Sequence, residues 1–262
     1  MLAELLVWAG VAASPSARRL GYARSAVSLW SRRRRCAAAW REHEINSRRF
    51  VLDFAESCRH RDSLWLLGAG LLADIPLAEL SAMFRHVLVF DIALLAQARR
   101  KIRRFGNVEL RLADITGIVA PLAEWRAGMP LPIPSDEALR DLDPVPPDGI
   151  VSLNILSQLP LLPIDYLRRR NVPQQAAEDF GRQIIRAHLD GLASLSCPVA
   201  LVSDALRIWR NKAGEPVMDE SALLGMRLPS PVKEWNWLLA PRGEIDPATA
   251  LELRVHAVQM AS

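Results

Sequence analysis

An α/β fold on a doubly wound, mostly parallel sheet is what this sequence predicts, and three observations predict it. Short apolar segments recur at 64–67, 87–90, 108–112, 150–153 and 199–202, mostly with helix-patterned stretches between them. Such alternation implies parallel pairing with right-handed crossovers. The first segment ends on Gly68-Ala69-Gly70, where glycines let the backbone approach a ligand closely. The second stops at Asp91, 21 residues beyond Gly70. That separation suits a carboxylate that accepts hydrogen bonds from the ribose hydroxyls of an adenosine cofactor.

The elements follow in order. Residues 1–60 read as a helical extension of two or three helices, an arm or lid ahead of a 61–262 domain, with Ser14-Pro15 as a break. Residues 1–50 carry ten Arg and three Glu, so the net charge of +4 comes from this segment and the rest is slightly acidic. The run Arg32-Arg33-Arg34-Arg35 could neutralise phosphates. A solvated helix face is the better reading, because charge runs usually face solvent and 30 Arg against three Lys mark a composition bias. Trp30, Trp40 and Phe50 lie among these arginines and need burial, so the arm is expected to fold over the cofactor edge rather than bind nucleic acid.

After the glycine turn, Asp74 is an N-cap candidate with Pro76 in the first turn, and Leu77, Leu80 and Phe84 recur at helical spacing. The helix after Asp91 turns Leu94, Leu95, Ala98 and Ile102 toward the core and Arg99, Arg100, Lys101, Arg103 and Arg104 outward. Six prolines between 128 and 148 deny that stretch a long helix or a central strand. It reads as an extended insertion with one short helix near 135–142. Residues 173–195 form a better helix, with Phe180, Ile184 and Leu192 on one face. The tail changes character: 235–239 and 251–258 are strand-like, no helix intervenes, and antiparallel pairing as a C-terminal hairpin follows.

Composition bounds the class. A 262-residue chain of 29.2 kDa buries roughly three quarters of its unfolded surface, enough for a core without staples. Cys36, Cys58 and Cys197 make neither a disulfide framework nor a Cys-x-x-Cys site, which suits a reducing, cytoplasmic setting. The apolar stretch 5–13 follows Glu4 with no Lys or Arg ahead of it, unlike an export signal. No run reaches the ~18 apolar residues of a membrane span. His43, His60, His86, His188 and His256 are scattered without ligand spacing, so no metal is expected. His43 reads as a surface or packing residue rather than a base.

On these stretches the chain resembles the class I S-adenosylmethionine-dependent methyltransferases over 64–258, with five strand-helix units and a closing antiparallel hairpin. The resemblance implies a Rossmann-like fold that binds S-adenosylmethionine. The loop Gly68-Ala69-Gly70 would wrap the methionine part, and Asp91, with Ile92 beside it, would meet the ribose. Asp114 falls where a side chain meets the adenine amino group, with Ile115 beside the ring, and Asn154 ends the fourth strand where the family builds its methyl-transfer site. Leu66 replaces the usual acidic residue of the glycine motif, and Leu72 the third glycine. Asn154, Ser157 and Gln158 are the residues expected to position the acceptor, with Asp204 a weaker candidate.

Read without the resemblance, each residue has another role: the glycines as a tight turn, Asp91 as a helix N-cap, Asp114 as an Asx turn. Gly68 to Ala73 also fits the dinucleotide fingerprint, so a nicotinamide oxidoreductase is one alternative. Neither Tyr22 nor Tyr166 has a Lys four residues on, so the Tyr-x-x-x-Lys pair of short-chain dehydrogenases is missing. A non-catalytic relative kept as a cofactor-binding or interaction module is the other alternative. The segment after the fourth strand, Asn154-Ile155-Leu156-Ser157, lacks the Asp/Asn-Pro-Pro-Tyr/Phe stretch of base-methylating enzymes. A small molecule or a protein side chain is therefore the expected acceptor.

Overall fold

The computed structural model describes residues 2–68 and 70–260. Ala69 therefore lies outside the described residues. The N-terminal segment holds α1 (Leu2–Ala9), a two-residue strand β1 (Ala12–Ala13), α2 (Pro15–Leu20), α3 (Tyr22–Arg35) and α4 (Ala37–Ser57). These are four helices rather than two or three. Ser14 makes the break, since its Oγ accepts from Ala17 N at 3.1 Å and Pro15 takes the first turn of α2. Gly21 then turns the chain into α3 at φ +100°, a conformation that favours glycine.

The sheet collects β2 (Ser63–Leu67), β3 (His86–Asp91), β5 (Val108–Leu112), β6 (Gly149–Leu153), β7 (Val199–Arg210), β8 (Pro216–Ser221), β9 (Lys233–Ala240) and β10 (Ala250–Met260). Its order is β5-β3-β2-β6-β7-β10-β9, with β8 paired to β7. The strands from β5 to β7 pair parallel, and β10 runs antiparallel between β7 and β9. This is the Rossmann-like sheet with the antiparallel closing pair that the sequence predicts. A small ribbon, β1 with β4 (Ala93–Leu94), ties the N-terminal helices to the segment after β3.

Helices cover both faces because the strands alternate. Leu64 and Leu66 join one apolar cluster with α4, α5 (Leu77–Met83) and α6 (Ala96–Ile102), while Trp65 and Leu67 join the other. That second face packs against α2, α7 (Val119–Glu124), α8 (Leu161–Arg168), α9 (Gln174–Ser194) and the 3-10 helix Asp136–Leu142 of the Pro-rich stretch. All five residues of β2 and of β6 are buried, as central parallel strands require. Helix α4 is fixed to β9 by Trp40, whose Nε1 donates to Leu239 O at 2.9 Å and whose ring meets Trp237 edge-on at 4.9 Å.

Several expectations are corrected. Asp74 does not cap a helix: α5 begins at Leu77 behind Pro76, and the Asp74 carboxylate is engaged elsewhere. Arg99 and Lys101 do not simply face solvent, since they donate to Gly10 O at 2.9 Å and Leu72 O at 2.7 Å. The fifth strand runs on to Arg210 and gains β8 as a partner; both were invisible in a polar stretch whose β8 residues are mostly exposed. The arginine run is not merely solvated. Arg33 pairs with Glu44 at 2.7 Å, Arg35 with Glu244 at 2.6 Å and Arg32 with Glu244 at 3.5 Å, and Arg34 lies over Trp30 at 4.9 Å.

Candidate functional site

The sheet order reverses between β2 and β6, and ligands of open α/β sheets bind outside the strand ends at such a switch point. A cavity of about 310 Å³ opens there, at the small end of the range for ligand pockets. It is lined by Gly68, Gly70, Asp91, Ile92, Asp114, Ile115, Asn154 and Gln158. Residues from four parallel strand ends and their loops thus meet at one place.

The glycine turn is tight because the end of β6 crowds it. Gly68 sits at φ +87°, and a Cβ there would stand 2.9 Å from Leu153 O and 3.0 Å from Ile155 Cβ. Only glycine lets the β2 and β6 ends close together. Gly70, at φ +48°, would meet nothing with an added Cβ, so its constraint is conformational. Gly70 N donates to Asp91 Oδ2 at 2.7 Å and Ala93 N to Asp91 Oδ1 at 3.1 Å. Asp91 therefore holds the glycine loop to the end of β3 while facing the cavity. Burial pushes its carboxyl upward, and the backbone N–H groups of Gly70, Ala93 and Ile92 pull it back.

Asp114 closes the next loop. Its Oδ1 accepts from Thr116 N at 3.0 Å and Thr116 Oγ1 at 2.5 Å, and its Oδ2 from Val119 N at 2.7 Å. The Asx-turn reading holds as geometry, and the residue still lines the cavity. Ionised carboxylates have acceptor sites to spare.

The end of β6 carries most of the remaining chemistry. Asn154 stands at φ +52°, only 7% exposed. Its Nδ2 donates to Asp74 Oδ2 at 2.7 Å and lies 3.1 Å from His43 Nε2. His43 stacks on Trp237 at 3.8 Å and accepts from Trp235 Nε1 on its Nδ1 at 3.0 Å. Burial lowers its pKa to about 3, so the ring is neutral. Gln158 lines the cavity and its Nε2 donates to Asn154 O. Ser157 is corrected: it is 1% exposed, does not line the cavity, and donates to Asp204 Oδ2 at 2.8 Å. Asp204 is likewise buried behind the site, its pKa raised to about 6 mainly by burial. The turn after Asn154 rotates residue 157 to the far side while leaving 158 facing in.

Sequence reasoning missed Asp74, His43, Tyr22, Arg33, Glu44 and Trp237, all on the cavity wall. Asp74 looked like a helix cap, and Tyr22 and Arg33 have only their helical register on α3 as a signal. His43 and Asn154 are 111 residues apart, and no local pattern joins them.

The fold and the cavity define a class of protein: a Rossmann-like α/β domain with a cleft at the switch point of its sheet. Its sheet order with the closing antiparallel pair is the arrangement implied by the resemblance to class I methyltransferases. No family model matches the chain, and no curated protein matches it. Among solved structures it is similar to the N-methyltransferase NodS from Bradyrhizobium japonicum WM9 in complex with S-adenosylhomocysteine. Identity is 12%, coverage 83% of this chain and 87% of that chain, and the TM-score 0.37. It is also similar to DhpI in its S-adenosylhomocysteine complex (14% identity, 86% and 93% coverage, TM-score 0.33). A third is 1,6-didemethyltoxoflavin-N1-methyltransferase from Burkholderia thailandensis (12% identity, 85% and 89% coverage, TM-score 0.33).

Proposed function

We propose that the protein is an S-adenosylmethionine-dependent methyltransferase acting on a small-molecule or protein acceptor. One observation carries this reading: the glycine turn, Asp91, Asp114 and Asn154, which the family resemblance selects from separate stretches, line a single cavity. The residues fit the cofactor on physical grounds. The turn at Gly68 has no room for a side chain, so backbone alone faces the ligand there. Asp91 can accept from ribose hydroxyls, Asp114 from the adenine amino group, and Ile92 and Ile115 offer apolar walls to the ring. The missing acid at Leu66 has substitutes on the cavity wall, where Glu44 pairs with Arg33 and could meet the charged methionine end.

S-adenosylmethionine supplies, when bound, a methyl group on a sulfonium whose C–S bond pair stays with sulfur. The protein's part is alignment: Asn154 and Gln158 sit at the strand end where an acceptor would be held, and transfer of this kind depends mainly on position. We propose that residues 1–60 serve as the arm over the 61–262 domain, since Tyr22, Ala26, Leu29 and Arg33 of α3 form one wall of the cavity. Three free, buried cysteines support a reducing, cytoplasmic setting. No described helix is long and apolar enough to cross a membrane.

Calorimetric titration tests the cofactor. S-adenosylhomocysteine should bind and NAD should not; tighter binding of NAD would turn the reading toward a nicotinamide enzyme. Incubating fractionated extract with protein and radiolabelled S-adenosylmethionine tests turnover. Binding with no fraction ever labelled would favour the non-catalytic alternative.

A further inference from the structure

We propose that Asp74 takes the proton released by the methyl acceptor, a nitrogen that carries hydrogen, and that Trp235, acting through His43 and Asn154, sets how readily it does so. The inference rests on the methyl-transfer reading of the cavity. Its starting point is a row of four side chains whose hydrogens do not match when Asp74 is ionised.

An indole N–H can only donate. Trp235 Nε1, 3.0 Å from His43 Nδ1, therefore makes Nδ1 an acceptor. A neutral imidazole must then carry its proton on Nε2, and burial keeps His43 neutral. That Nε2–H points at Asn154 Nδ2, 3.1 Å away, which is also a donor. Meanwhile Asn154 Oδ1 is buried with no hydrogen-bond partner. The row thus contains a donor facing a donor and an orphaned acceptor, both in a side chain on the cavity wall.

One rearrangement removes the donor–donor contact; the unpaired position stays unpaired in either orientation of the amide, holding the oxygen now and the nitrogen after the turn. If the Asn154 amide turns end for end, its oxygen accepts from His43 Nε2–H. The same oxygen then stands against Asp74 Oδ2 at the 2.7 Å now spanned by Nδ2, a distance suited to an O–H···O bond. That bond requires a proton on Asp74. The contacts from Trp235 through His43 and Asn154 to Asp74 are all matched with Asp74 protonated, and one is mismatched with Asp74 ionised. The unpaired amide position is common to both states and cancels between them, so the carboxylate gains basicity from its neighbours as well as from burial. Burial is the largest influence raising Asp74, and Glu44 adds to it, while the Asn154 amide and the Asp74 backbone N–H lower it. Arg48 of α4, Arg33 of α3 and Lys101 of α6 oppose the rise. Arg48 and Lys101 are held on the carbonyls of Ala73 and Leu72.

The transfer then balances. The acceptor nitrogen's lone pair becomes the new N–C bond, and the nitrogen, made cationic, becomes acidic. Its N–H bond pair stays on nitrogen, and the proton passes to Asp74. A neutral alcohol is a poor nucleophile and must lose its O–H proton as it attacks, which asks for a much stronger base than a carboxylate, whereas an amine attacks through its lone pair and loses its proton afterwards. The acceptor is therefore assigned as an amine. Asp74 would touch the acceptor and is a catalytic residue in this scheme; Trp235, absent from the cavity wall, is a positioning residue.

The test uses the full chain. Trp235→Phe removes the indole N–H and lets His43 carry its proton on Nδ1, so that Nε2 accepts from Asn154 Nδ2 and ionised Asp74 is fully paired. The Asp74 midpoint, followed by carboxyl carbon NMR and assigned with Asp74→Asn, should fall by about one pH unit, a tenfold loss of proton affinity. His43→Phe keeps the stacking on Trp237, removes the Nε2–H, and should lower the midpoint as well, which guards against misfolding of the first variant. The acid limb of the pH profile for label transfer to the extract acceptor should move down with it. An unmoved midpoint in both variants overturns the inference. So does a loss of S-adenosylhomocysteine affinity above tenfold in Asp74→Asn, which would assign Asp74 to the cofactor's ammonium group instead. Failure of the wild-type chain to bind S-adenosylhomocysteine sinks the methyltransferase reading itself, whereas the NMR midpoints test the hydrogen-bond row whether or not cofactor binds.

Discussion

Asp91 does two things at once, and the order of its partners says which is structural. Its oxygens already accept from Gly70 N and Ala93 N, so the carboxylate shapes the loop before any ligand arrives. Charge-assisted hydrogen bonds of this kind contribute about 1.5 to 3 kcal/mol each. Asp91→Ala should therefore lower S-adenosylhomocysteine affinity at least roughly tenfold, as read by calorimetry. Unchanged affinity in the folded variant would reduce Asp91 to a loop clasp.

Asp204 gives a second residue-scale prediction. Its folded pKa of about 6 lies above the ordinary 3.8, chiefly through burial. A carboxyl of that kind contributes stability that is fully present below pH 3.8 and is lost as pH rises through about 6. Asp204→Asn still offers an acceptor to Ser157 Oγ and has no charge to bury. Its stability relative to wild type should rise between pH 4 and pH 7 by up to roughly 3 kcal/mol, about two units at 1.4 kcal/mol each. His43 and His188, lowered to about 3 and about 4 by burial, act in the opposite direction: their contribution is lost as pH falls below 6.5. They are common to both proteins and cancel in the difference. Thermal unfolding at a series of pH values measures it, and a flat difference would mean that Asp204 is not protonated in the folded state.

At the scale of elements, the arginine run on α3 shows why a charge pattern cannot be assigned by composition. Arg35 and Arg32 reach Glu244 in the β9–β10 connection, and Arg33 reaches Glu44 on α4. The Glu244 pairs join elements that the sequence holds far apart, 209 residues in the case of Arg35. Arg35 is 53% exposed in its side chain, and ion pairs of that exposure contribute about 0 to 1 kcal/mol. Replacing Arg32, Arg34 and Arg35 by Ser should leave the fold and S-adenosylhomocysteine affinity nearly intact, by circular dichroism and calorimetry. Arg33 is left out of that variant because it lines the cavity. Tight, salt-sensitive RNA binding that disappears in the triple variant would restore the phosphate-binding reading.

At the scale of the whole molecule, the N-terminal helices divide by what they bury. α4 contributes Trp40, Phe50, Val51 and Phe54 to the same apolar cluster as β2, β3 and β10, so it belongs to the packing of the sheet. α3 instead contributes one wall of the cavity and a smaller cluster with Ala93 and Leu95. Removing residues 1–35 should thus keep a cooperatively unfolding sheet while S-adenosylhomocysteine affinity collapses. Removing residues 1–60 should leave the sheet face beneath α4 uncovered and give insoluble chain. Full affinity in the shorter deletion would show that the arm takes no part in binding.

The sequence by itself determined the sheet. Central parallel strands are buried on both faces, so 64–67, 87–90 and 150–153 are continuous apolar runs that can be recognised locally, and Gly68, Asp91 and Asn154 are marked by where those runs stop. The edge was harder: β8 is mostly exposed, and a solvent-facing strand needs no apolar pattern. Only the tertiary structure decided which side chains form the acceptor end. Ser157 and Gln158 are neighbours in sequence, yet one turns to Asp204 and the other to the cavity. Asp74, His43 and Asn154 come together across separations of 80 and 111 residues. Buried polar groups must find partners wherever packing brings them, and that pairing depends on how α4 lies on the sheet, which no local period in the sequence encodes.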